Sequence, residues 1–583
     1  MSPVAAQLES VADRVFHSPW PPPAVPDVDL TSFALRHAPR LAGRPALVDA
    51  ASGRTLRYGE LAAGVARAAG GLARRGFERG DVLALHLPNL PEFALALHAG
   101  LRAGGVVTPT SPLYTVRELA GQLRNTRARM LITAGPLAAV GAEAAAQAGV
   151  EDLLVLGEAP GLTPFAELLA SEDAPPEIEL DPDDVALMLS SGGTTGLPKV
   201  VQLTHRALVA NLRQMAGPYP IGEGEPVLGL APFFHSMGLV CVLHHALASG
   251  GTVVCVARLE LEGMLGALET HRVSHALVAP PVLALLAHHP LVDSFDLSAL
   301  RTLGSGGAPA SAALERAVAD RLGCLVGQGY GMTEAGPLIA VPPLADPRLI
   351  RPGSVGLLVP GTEAKVVDPE SGAPLATGED GELLVRGPQL MAGYFDDPAA
   401  TADSIDSEGW LHTGDLGHFD EDGYVFLVDR LKELIKVMGF QVAPAELESV
   451  LCAHPAVADA AVVGVPDERA GELPKAFVVA PIGRMATSYA RSWPLAWPPT
   501  SGCTRSSRST SCRDHRPASS CGGRSSSVRA PPGRRPSYER RGVRPLRRRH
   551  RGRLRRVPDR HAHQQAVEVA PLAAGVPGDG ADA

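Results

Sequence analysis

Hydrophobic residues in the first part of the chain follow two alternating periods. Residues 58–74 carry apolar side chains at helical spacing, and the short apolar run VLALHL follows at residues 82–87. The alternation continues with helical patterns near residues 92–102, 116–125 and 137–148 and apolar runs at residues 130–134 and 153–156. Repeated strand–helix–strand units favour parallel sheets covered by helices on both faces. The pattern therefore predicts an α/β fold.

This periodicity stops near Gly483, and the charge changes at the same place. Residues 484–583 contain 21 Arg, no Lys and 6 acidic residues, which gives a net charge of +15, whereas residues 1–483 carry −24. The formal charge of −9 for the 583 residues hides this difference. The last hundred residues combine Arg, Ser and Pro with few periodic apolar positions, so we expect them to be disordered.

Composition excludes several classes of protein. The longest apolar stretch, residues 238–257, is interrupted by His244, His245 and two glycines, so it falls short of the roughly 18 clean apolar residues that a membrane span needs. The N-terminus carries acids without a basic-then-apolar pattern, so we expect no secretory signal. Seven scattered cysteines form neither metal-ligand spacing nor a disulfide framework. We therefore expect a cytoplasmic protein without a membrane span.

A loop rich in glycine and hydroxyl groups follows the predicted strand VALMLS at residues 185–190. Its sequence is SSGGTTGLPK, residues 190–199, and a second apolar run, VVQLT, comes next. Backbone N–H groups, hydroxyls and one lysine can together surround a polyphosphate. The loop lacks the Gly-Lys-Ser/Thr ending and the following helix of a Walker loop. A surface hairpin without function is the alternative interpretation of this segment.

Further motifs follow this loop in a fixed order, and together they carry a family resemblance. The chain resembles the adenylate-forming (AMP-binding) superfamily of acyl-CoA synthetases, luciferases and peptide-synthetase adenylation domains, and most closely enzymes like 4-coumarate–CoA ligase. The resemblance covers about residues 30–480. Besides the glycine loop, the matching segments are APFFHSMGL (231–239), GSGGAPAS (304–311), GQGYGMTEAGP (327–337), GELLVRGPQLMAGYF (381–395), GWLHTGDLG (409–417) and DRLKELIKVMGFQVAPAELE (429–448).

The resemblance implies a division into domains. We expect an N-terminal extension at residues 1–29 and a large AMP-binding domain of helix-covered sheets at residues 30–428. A small α+β C-terminal domain begins at residue 429 and is truncated at residue 483, before the Arg-rich tail of residues 484–583. The family hinge between the two domains corresponds to Lys432.

The resemblance also implies a reaction in two steps. A carboxylate attacks the α-phosphate of ATP to give acyl-AMP and pyrophosphate, and the thiolate of coenzyme A then displaces AMP. Thr333 and Glu334 resemble the family residues that hold phosphate and Mg²⁺. Their hydroxyl and carboxylate suit this role, because a hard cation prefers oxygen ligands. The implied catalytic residues are Lys199, Thr333, Glu334, Lys432 and Lys436. The implied nucleotide and coenzyme A contacts are Ser190, Ser191, Gly192, Gly193, Thr194, Thr195, Gly196, Gln328, Gly329, Tyr330, Asp415, Arg430, Gln441, Gly439 and Arg258.

The acid is not fixed by these motifs. The resemblance places His235, Met237, Gly306 and Gly307 in the acyl pocket, where the glycines bring little side-chain volume. A flat aromatic acid such as a hydroxycinnamate and a medium-chain fatty acid both fit this description. Simpler interpretations are a buried core position for His235 and a place among ordinary helix-surface charges for Arg430 and Lys432.

Two departures from the family pattern affect the small domain. Met438 stands where plant-type enzymes carry a second lysine, which puts the coenzyme A contact there in doubt. The family also ends with a P-x-S-x-G-K-[IL]-x-R-R motif whose lysine contacts the acyl carboxylate and the α-phosphate, yet residues 484–583 contain no lysine.

Back-translation offers an explanation for the missing motif. Read one base out of frame, residues 517–523 permit Gly-Lys-Leu-Leu-Arg-Arg, and residues 485–491 and 497–510 permit further segments typical of the family's last domain. We therefore hypothesise a frameshift near residues 481–485. It would have replaced most of the small domain and removed the catalytic lysine.

Other functions remain open at this point. The run RRRHRGRLRR has the charge of a nucleic-acid-binding arm, but shifted GC-rich codons also yield arginine without lysine, so we expect no specific nucleic acid partner. An acyl-AMP ligase that serves a carrier protein and an inactive ATP-binding remnant are the alternatives to an acid–CoA ligase. We expect a monomer or a homodimer whose substrates are a small carboxylic acid, ATP and coenzyme A.

Overall fold

The computed structural model describes residues 15–171, 174–191, 199–437, 440–444, 447–448, 451, 457, 459–467, 471–479 and 567–568. The four helices that the hydrophobic periodicity predicts, at residues 58–74, 92–102, 116–125 and 137–148, begin and end within one residue of the observed bounds of α2 to α5. Twelve α-helices have both ends in the described part of the chain. They are α1 Leu30–Ala34, α2 Tyr58–Arg74, α3 Pro91–Arg102, α4 Val116–Asn125, α5 Ala138–Ala148, α6 Ala166–Leu169, α7 His205–Met215, α8 His245–Ser249, α9 Leu261–Thr270, α10 Pro280–His288, α11 Ala312–Leu322 and α12 Pro398–Ser404.

Local sequence explains where such a helix starts. Thr115 precedes α4 and accepts a hydrogen bond from the backbone N–H of Glu118, while a side-chain oxygen of Glu118 accepts one from the N–H of Thr115. This capping box satisfies two N–H groups that have no partner within the helix. The apolar positions of α4 that follow, Leu119 and Leu123 among them, are buried.

The strands, numbered in chain order, form five sheets among the described residues. They are β1 Phe16–His17, β2 Pro45–Asp49, β3 Thr55–Arg57, β4 Val82–His86, β5 Val106–Pro109, β6 Ala128–Ala134, β7 Asp152–Leu156, β8 Thr163–Pro164, β9 Val185–Ser190, β10 Val200–Thr204, β11 Pro226–Gly229, β12 Thr252–Cys255, β13 His275–Val278, β14 Thr302–Ser305, β15 Leu325–Gln328, β16 Tyr330–Gly331, β17 Leu338–Val341, β18 Leu357–Leu358, β19 Glu363–Val367, β20 Gly381–Arg386, β21 Gly393–Tyr394, β22 Leu411–Phe419, β23 Val425–Arg430, β24 Ile435–Val437, β25 Phe440–Val442, β26 Asp459–Asp467, β27 Gly471–Val479 and β28 Val567–Glu568.

Two large sheets confirm the predicted α/β architecture. One has the strand order β21-β10-β9-β5-β4-β6-β7-β8 and is parallel from β9 to β8. The other has the order β15-β14-β13-β11-β12-β2-β3 and is parallel from β15 to β2. Helices α2 and α3 contribute fully buried leucines to the core that these sheets share.

A third sheet is antiparallel and was not expected from the periodicity. Its order is β1-β19-β20-β22-β23, and its last pair aligns Asp415 of β22 with Arg430 of β23. Arg430 therefore ends a strand, and Lys432 lies in the turn that follows. The interpretation of these two residues as helix-surface charges is wrong, because the antiparallel pairing makes this segment extended.

The described part of the small domain is a sheet of the order β25-β24-β27-β26, to which β28 pairs along β27. Apart from Val567 and Glu568, the tail of residues 484–583 lies outside the described residues, and so does the RRRHRGRLRR run. The expectation of disorder therefore stays a prediction. Within the described ranges, no helix combines the length and the apolar composition that crossing a membrane requires.

Candidate active site

Parallel pairing brings three sequence motifs to one edge of the second large sheet. Strands β11, β14 and β15 run in the same direction, and each is followed at its carboxyl end by one of the motifs that contain Met237, Gly306 and Tyr330. Ligands of open α/β sheets bind at this edge, outside the carboxyl ends of the strands. The topology therefore defines the candidate site.

Tyr330, Asp415 and Arg430 form one cluster at this site. The hydroxyl of Tyr330 donates a 2.6 Å hydrogen bond to Oδ2 of Asp415, and both residues are buried. The Nε atom of Arg430 lies 3.2 Å from Oδ1 of Asp415 across the antiparallel pair of strands. The backbone N–H of Asp415 donates to the hydroxyl of Thr413. This hydrogen bond fixes the backbone from which the Asp415 side chain extends. These contacts assemble three residues that the sequence predicts around the nucleoside.

Burial controls the ionisation of this cluster. Loss of water raises the pKa of Asp415 above its ordinary value, while the hydrogen bond from Tyr330 and the charge of Arg430 act in the opposite direction. Burial and the neighbouring Asp415 carboxylate raise the pKa of Tyr330 well above its ordinary value. The phenol is therefore a hydrogen-bond donor at neutral pH, and it directs the carboxylate.

A second cluster joins the glycine loop to the predicted metal ligand. The Nζ atom of Lys199 lies 4.6 Å from the ring centroid of Tyr394, and the hydroxyl of Tyr394 donates a 2.9 Å hydrogen bond to Oε1 of Glu334. Strand β21 holds Tyr394 opposite Val201 of β10. Strand β10 begins at the residue after Lys199. Lys199 is exposed, whereas Tyr394 and Glu334 are buried. Burial, and then the Glu334 charge, raise the pKa of Tyr394.

Tyr394 is a residue of this site for which the sequence analysis predicted no role. It lies in the motif GELLVRGPQLMAGYF, but only its position beside β10 reveals the contact with Lys199 and Glu334. The site also contains a contact between the hydroxyls of Ser236 and Thr333 at 3.4 Å, which joins the 231–239 motif to the motif of Glu334.

The predicted acyl-pocket residues Met237 and Gly306 also meet. A Cβ atom placed on Gly306 would lie 3.3 Å from the sulfur of Met237 and 3.6 Å from the carbonyl oxygen of Gly329. Met237 is the first residue of a π-helix, Met237–His244, a form of helix that is frequent at functional sites. Gly307 has a φ angle of +84°, a conformation that favours glycine. Glycine backbone and a thioether thus lie side by side at the predicted acyl pocket.

His235 lies on the same segment and is exposed, with its ring 4.3 Å from the ring of Phe234 between centroids. This exposure excludes a fully buried ring, yet burial still lowers the pKa of the imidazole, so the alternative of a partly buried core position is neither confirmed nor contradicted. Whether it contacts the acyl group stays a prediction.

Gln328 has a different immediate role from the ATP contact that the sequence suggests. Its side-chain amide donates to the carbonyl of Ala310 at 2.9 Å and accepts from the N–H of Ala310 at 3.0 Å. This pair of hydrogen bonds fixes the end of the 304–311 motif. Gln328 therefore positions the segment of residues 304–311. A nucleotide contact by this residue stays a prediction.

Asn89 supports the acyl segment from the other large sheet, and the sequence offered no signal for it. Its amide nitrogen donates to the carbonyls of Gly229 and Ala231, each at 2.9 Å, and its carbonyl accepts from the N–H of Phe233 at 2.9 Å. Similarly, Ser190 at the end of β9 donates a 2.5 Å hydrogen bond to the side-chain carbonyl of Gln122 on α4. Both contacts fix the segments that lead into the site.

The remaining predicted site residues are not joined to these clusters. Arg258 is 83% exposed in its side chain and lies 3.7 Å from Glu260, and Lys432 and Lys436 are exposed. Gln441 pairs with Lys436 through the backbone of β24 and β25. Ser191 is buried at the start of the glycine loop, where its N–H donates to the carbonyl of Lys199. The predictions for Gly192, Gly193, Thr194, Thr195, Gly196, Met438 and Gly439 lie outside the described residues.

The donor set fits a magnesium ion that is shared with a substrate. Glu334 offers a carboxylate with one oxygen engaged by Tyr394, which leaves the other oxygen for a hard cation. Among the described residues, no group of three or more His, Cys, Asp or Glu side chains forms a complete metal site. Mg²⁺ commonly completes its coordination with water and substrate phosphates. Glu334 would therefore hold the ion together with ATP.

Comparison with known proteins agrees with this geometry. A family model described as AMP-binding enzyme matches residues 35–395, and a model described as AMP-binding enzyme C-terminal domain matches residues 446–491. The 4-coumarate–CoA ligase 2 of Oryza sativa subsp. japonica is 42% identical over 485 residues, covering 78% of this chain and 85% of the relative. The 4-coumarate–CoA ligase CCL1 of Humulus lupulus is 40% identical over 486 residues, covering 81% of this chain and 88% of the relative.

Solved structures with the same fold include other CoA ligases. ATP-bound MatB from Rhodopseudomonas palustris is 29% identical with a TM-score of 0.72, covering 79% of this chain and 90% of that one. A benzoate CoA ligase from Burkholderia xenovorans LB400 is 25% identical with a TM-score of 0.72, covering 79% of this chain and 91% of that one. The chain belongs to the AMP-binding enzyme family. Within it, the chain is an AMP-forming acid–CoA ligase of the 4-coumarate–CoA ligase type.

Proposed function

We propose that this enzyme activates a flat aromatic acid of the hydroxycinnamate type and transfers the acyl group to coenzyme A. ATP, Mg²⁺ and coenzyme A are the cofactors and cosubstrates of this class of ligase. The relatives named above that act on 4-coumarate cover most of the chain, which supports an acid of similar shape.

The observation that carries the choice of acid is the approach of Met237 to Gly306. The 3.3 Å from an added Cβ to the sulfur means that Met237 packs directly on the Gly306 backbone, so the thioether and the glycine form one continuous surface without a protruding side chain. A thioether makes favourable contacts with aromatic rings, and a linear aliphatic chain has no ring to make them. A planar ring lying flat on this surface would contact both the sulfur and the glycine backbone.

The clusters at the site support the first chemical step. The acid's carboxylate oxygen attacks the α-phosphorus of ATP, the bond to the bridging oxygen breaks, and pyrophosphate leaves. Asp415, directed by Tyr330, would accept hydrogen bonds from ribose hydroxyls, and Lys199 would neutralise charge on the departing phosphates. Mg²⁺ on Glu334 would supply further neutralisation of phosphate charge.

The second step uses the acyl-AMP formed in the first. The thiolate of coenzyme A attacks the acyl carbon, and AMP leaves with the electrons of the acyl–oxygen bond. We assign this step to the same edge of the sheet, with Lys432 at the hinge and with Lys436 and Gln441 of the small domain near the acyl carboxyl group or the phosphate, as the family resemblance implies. Gly439 and Arg258 stay proposals for coenzyme A contacts.

Release of pyrophosphate measured for the full chain against a panel of acids tests the choice of substrate. Hydroxycinnamates should give the highest rate, and a Gly306→Ala variant should lose selectivity for them with an unchanged KM for ATP. Gly121→Ala is the matched control, because a Cβ at Gly121 on α4 meets nothing within 4 Å. A higher rate with a medium-chain fatty acid, the other acid compatible with the motifs, would refute the aromatic assignment.

We also propose that the chain as it stands is impaired in catalysis. Residues 484–583 lack the lysine that the family places between the acyl carboxylate and the α-phosphate. Repulsion between these two anions is then less compensated during the attack. The shifted-frame reading of residues 517–523 supports a lost Gly-Lys-Leu-Leu-Arg-Arg segment as the origin of the defect.

A reducing, cytoplasmic location fits the cysteines of the large domain. Cys241, Cys255 and Cys324 are free thiols and are buried. Burial raises the pKa of Cys324 to about 11, and it raises the pKa of the other two thiols as well. Protonated, inaccessible thiols are poor nucleophiles, so we assign them to packing.

A further inference from the structure

Tyr394 contacts two groups of opposite charge that the proposed function places at the nucleotide. Its ring contacts the ammonium group of Lys199 at 4.6 Å, and its hydroxyl donates to the carboxylate of Glu334 at 2.9 Å. No ion pair joins Lys199 to a carboxylate in the part of the chain that the structure describes. One aromatic side chain thus holds the two charged groups at different places, the ammonium over its ring and the carboxylate at its hydroxyl.

Direct pairing of these two groups would interfere with ligand binding. A Lys–Glu ion pair neutralises both charges and must be broken before the ammonium can meet a phosphate and the carboxylate can meet a cation. A cation over an aromatic ring keeps its N–H groups available, because the attraction comes from the ring face. The hydroxyl engages only one of the oxygens of Glu334. The site therefore keeps both charges available.

The position of Tyr394 is set by the sheet rather than by the loop. Strand β21 pairs with β10, with Tyr394 opposite Val201 and Gly393 opposite Gln202. The backbone N–H of Tyr394 also donates to the hydroxyl of Thr401 at 2.9 Å. The ring is 9% exposed, so packing restricts it to this place. A fixed ring can separate two flexible charged side chains.

We propose that Tyr394 is a positioning residue that keeps Lys199 and Glu334 apart, so that the phosphates of ATP take the lysine and Mg²⁺ takes the glutamate. This inference rests on the proposed function, because it needs a nucleotide and its metal at these two residues. The essential part of Tyr394 is its ring, since the ring is what holds the ammonium group of Lys199.

The test compares Tyr394→Phe, which keeps the ring, with Tyr394→Leu and Tyr394→Met, which do not. ATP binding to the full chain is measured by titration calorimetry at a series of Mg²⁺ concentrations. The non-aromatic variants should raise the half-saturating Mg²⁺ concentration about fivefold, the range of one partly exposed ion pair. Tyr394→Phe should stay within about twofold of the unchanged protein, because the ring remains. AMP binding without Mg²⁺ should stay unchanged in all three.

A double-mutant cycle separates this role from general packing. In a Lys199→Gln background no cation lies over the aromatic ring. Tyr394→Leu should then no longer change the Mg²⁺ dependence of ATP binding. Tyr424 is a matched control, because it carries Arg351 over its ring at 4.0 Å and donates to the carbonyl of Leu349 at 2.6 Å away from the site. Tyr424→Leu should leave the Mg²⁺ dependence unchanged.

Two results would overturn the inference alone. One is an unchanged Mg²⁺ dependence in both non-aromatic variants, and the other is an equal increase with and without Lys199. Failure of the unsubstituted protein to bind ATP at any Mg²⁺ concentration would overturn the proposed function and the inference with it. Thermal unfolding identifies a variant that does not fold. If Tyr394→Leu does not fold, the Mg²⁺ dependence of Tyr394→Met compared with that of Tyr394→Phe tests the inference.

Discussion

Tyr330 donates its phenolic hydrogen to Asp415 over 2.6 Å, although 85 residues separate the two in the chain. Asp415 belongs to the five-stranded antiparallel sheet, while Tyr330 begins β16 of the three-stranded sheet β16-β17-β18, two residues after the parallel strand β15 ends. The hydrogen bond therefore joins two sheets at the place where we propose that ribose binds. Arg430 completes the cluster on the strand next to Asp415.

Asp415→Asn should separate nucleotide affinity from stability. The amide oxygen can still accept from Tyr330, but the variant loses the charge that attracts Arg430 and that would accept from ribose hydroxyls. We expect AMP affinity to fall about 10- to 100-fold, the range of hydrogen bonds to a charged group. Because burial raises the pKa of Asp415, a neutral side chain should not lower the melting temperature.

Calorimetry with AMP and thermal unfolding check this prediction together. Asp380→Asn is the control, because its side chain is 54% exposed and pairs with His418 instead. Unchanged AMP affinity in Asp415→Asn would refute the placement of the ribose.

Glu334→Gln should weaken ATP binding only when Mg²⁺ is present. The neutral amide oxygen is a weaker ligand of a hard cation than a charged carboxylate, yet it still accepts from Tyr394. We also expect residues 1–430 to fold alone and to bind ATP-Mg²⁺, since the Tyr330 and Glu334 clusters lie within them. Titration with ATP, with and without Mg²⁺, measures the affinity of the Glu334→Gln variant and of residues 1–430. An equal loss in both conditions would argue against Glu334 as the metal ligand.

Glu315 on α11 should make stability fall as the pH rises. It is 1% exposed, one of its oxygens accepts from the N–H of Gly353, and burial raises its pKa to about 7. A carboxyl group whose folded pKa is raised stabilises the protein below its unfolded pKa, and this contribution is lost as the pH rises towards the folded pKa. The free energy of unfolding should therefore decrease by about 3 kcal/mol between pH 4 and pH 7 through this group.

Glu315→Gln should remove this dependence and stabilise the protein at pH 8, because the amide carries no charge and its oxygen still accepts from Gly353. Urea unfolding at several pH values measures the difference from the unchanged protein. The exposed Glu262 of α9, replaced by Gln, is the control and should not alter the pH dependence. Parallel curves for Glu315→Gln and the unchanged protein would contradict the prediction.

Restoring the reading frame should restore catalysis. A positioned charge between two reacting anions contributes about 10²- to 10³-fold in rate, so the chain as it stands should form acyl-AMP slowly while still binding ATP. The restored protein should regain acid-dependent pyrophosphate release and CoA-thioester formation together. Both rates are compared at saturating ATP and coenzyme A. Equal rates in the two proteins would show that the lysine of the shifted frame is not the catalytic one.

Local sequence was sufficient for the helices of the first part of the chain, and the family motifs grouped part of the site. The apolar periodicity of α2 and α4 depends on residues three and four apart, so the predicted helices at residues 58–74 and 116–125 have the observed bounds. The motifs likewise predicted that Tyr330, Asp415 and Arg430 act together, and the structure brings them into contact. A resemblance to a family supplied this grouping, whereas spacing alone gave no distance between them.

Tertiary structure decided what depends on contacts between distant segments. The antiparallel sheet had no helical or alternating signal strong enough to predict, and Arg430 was assigned to a strand only when its partner strand was known. Tyr394 and Asn89 look like ordinary residues in the sequence, because their roles arise from strands and loops far away along the chain. Hydrogen bonds and ring contacts of this kind form only after the sheets have packed, and so the sequence determined the chemistry while the packing selected which side chains meet.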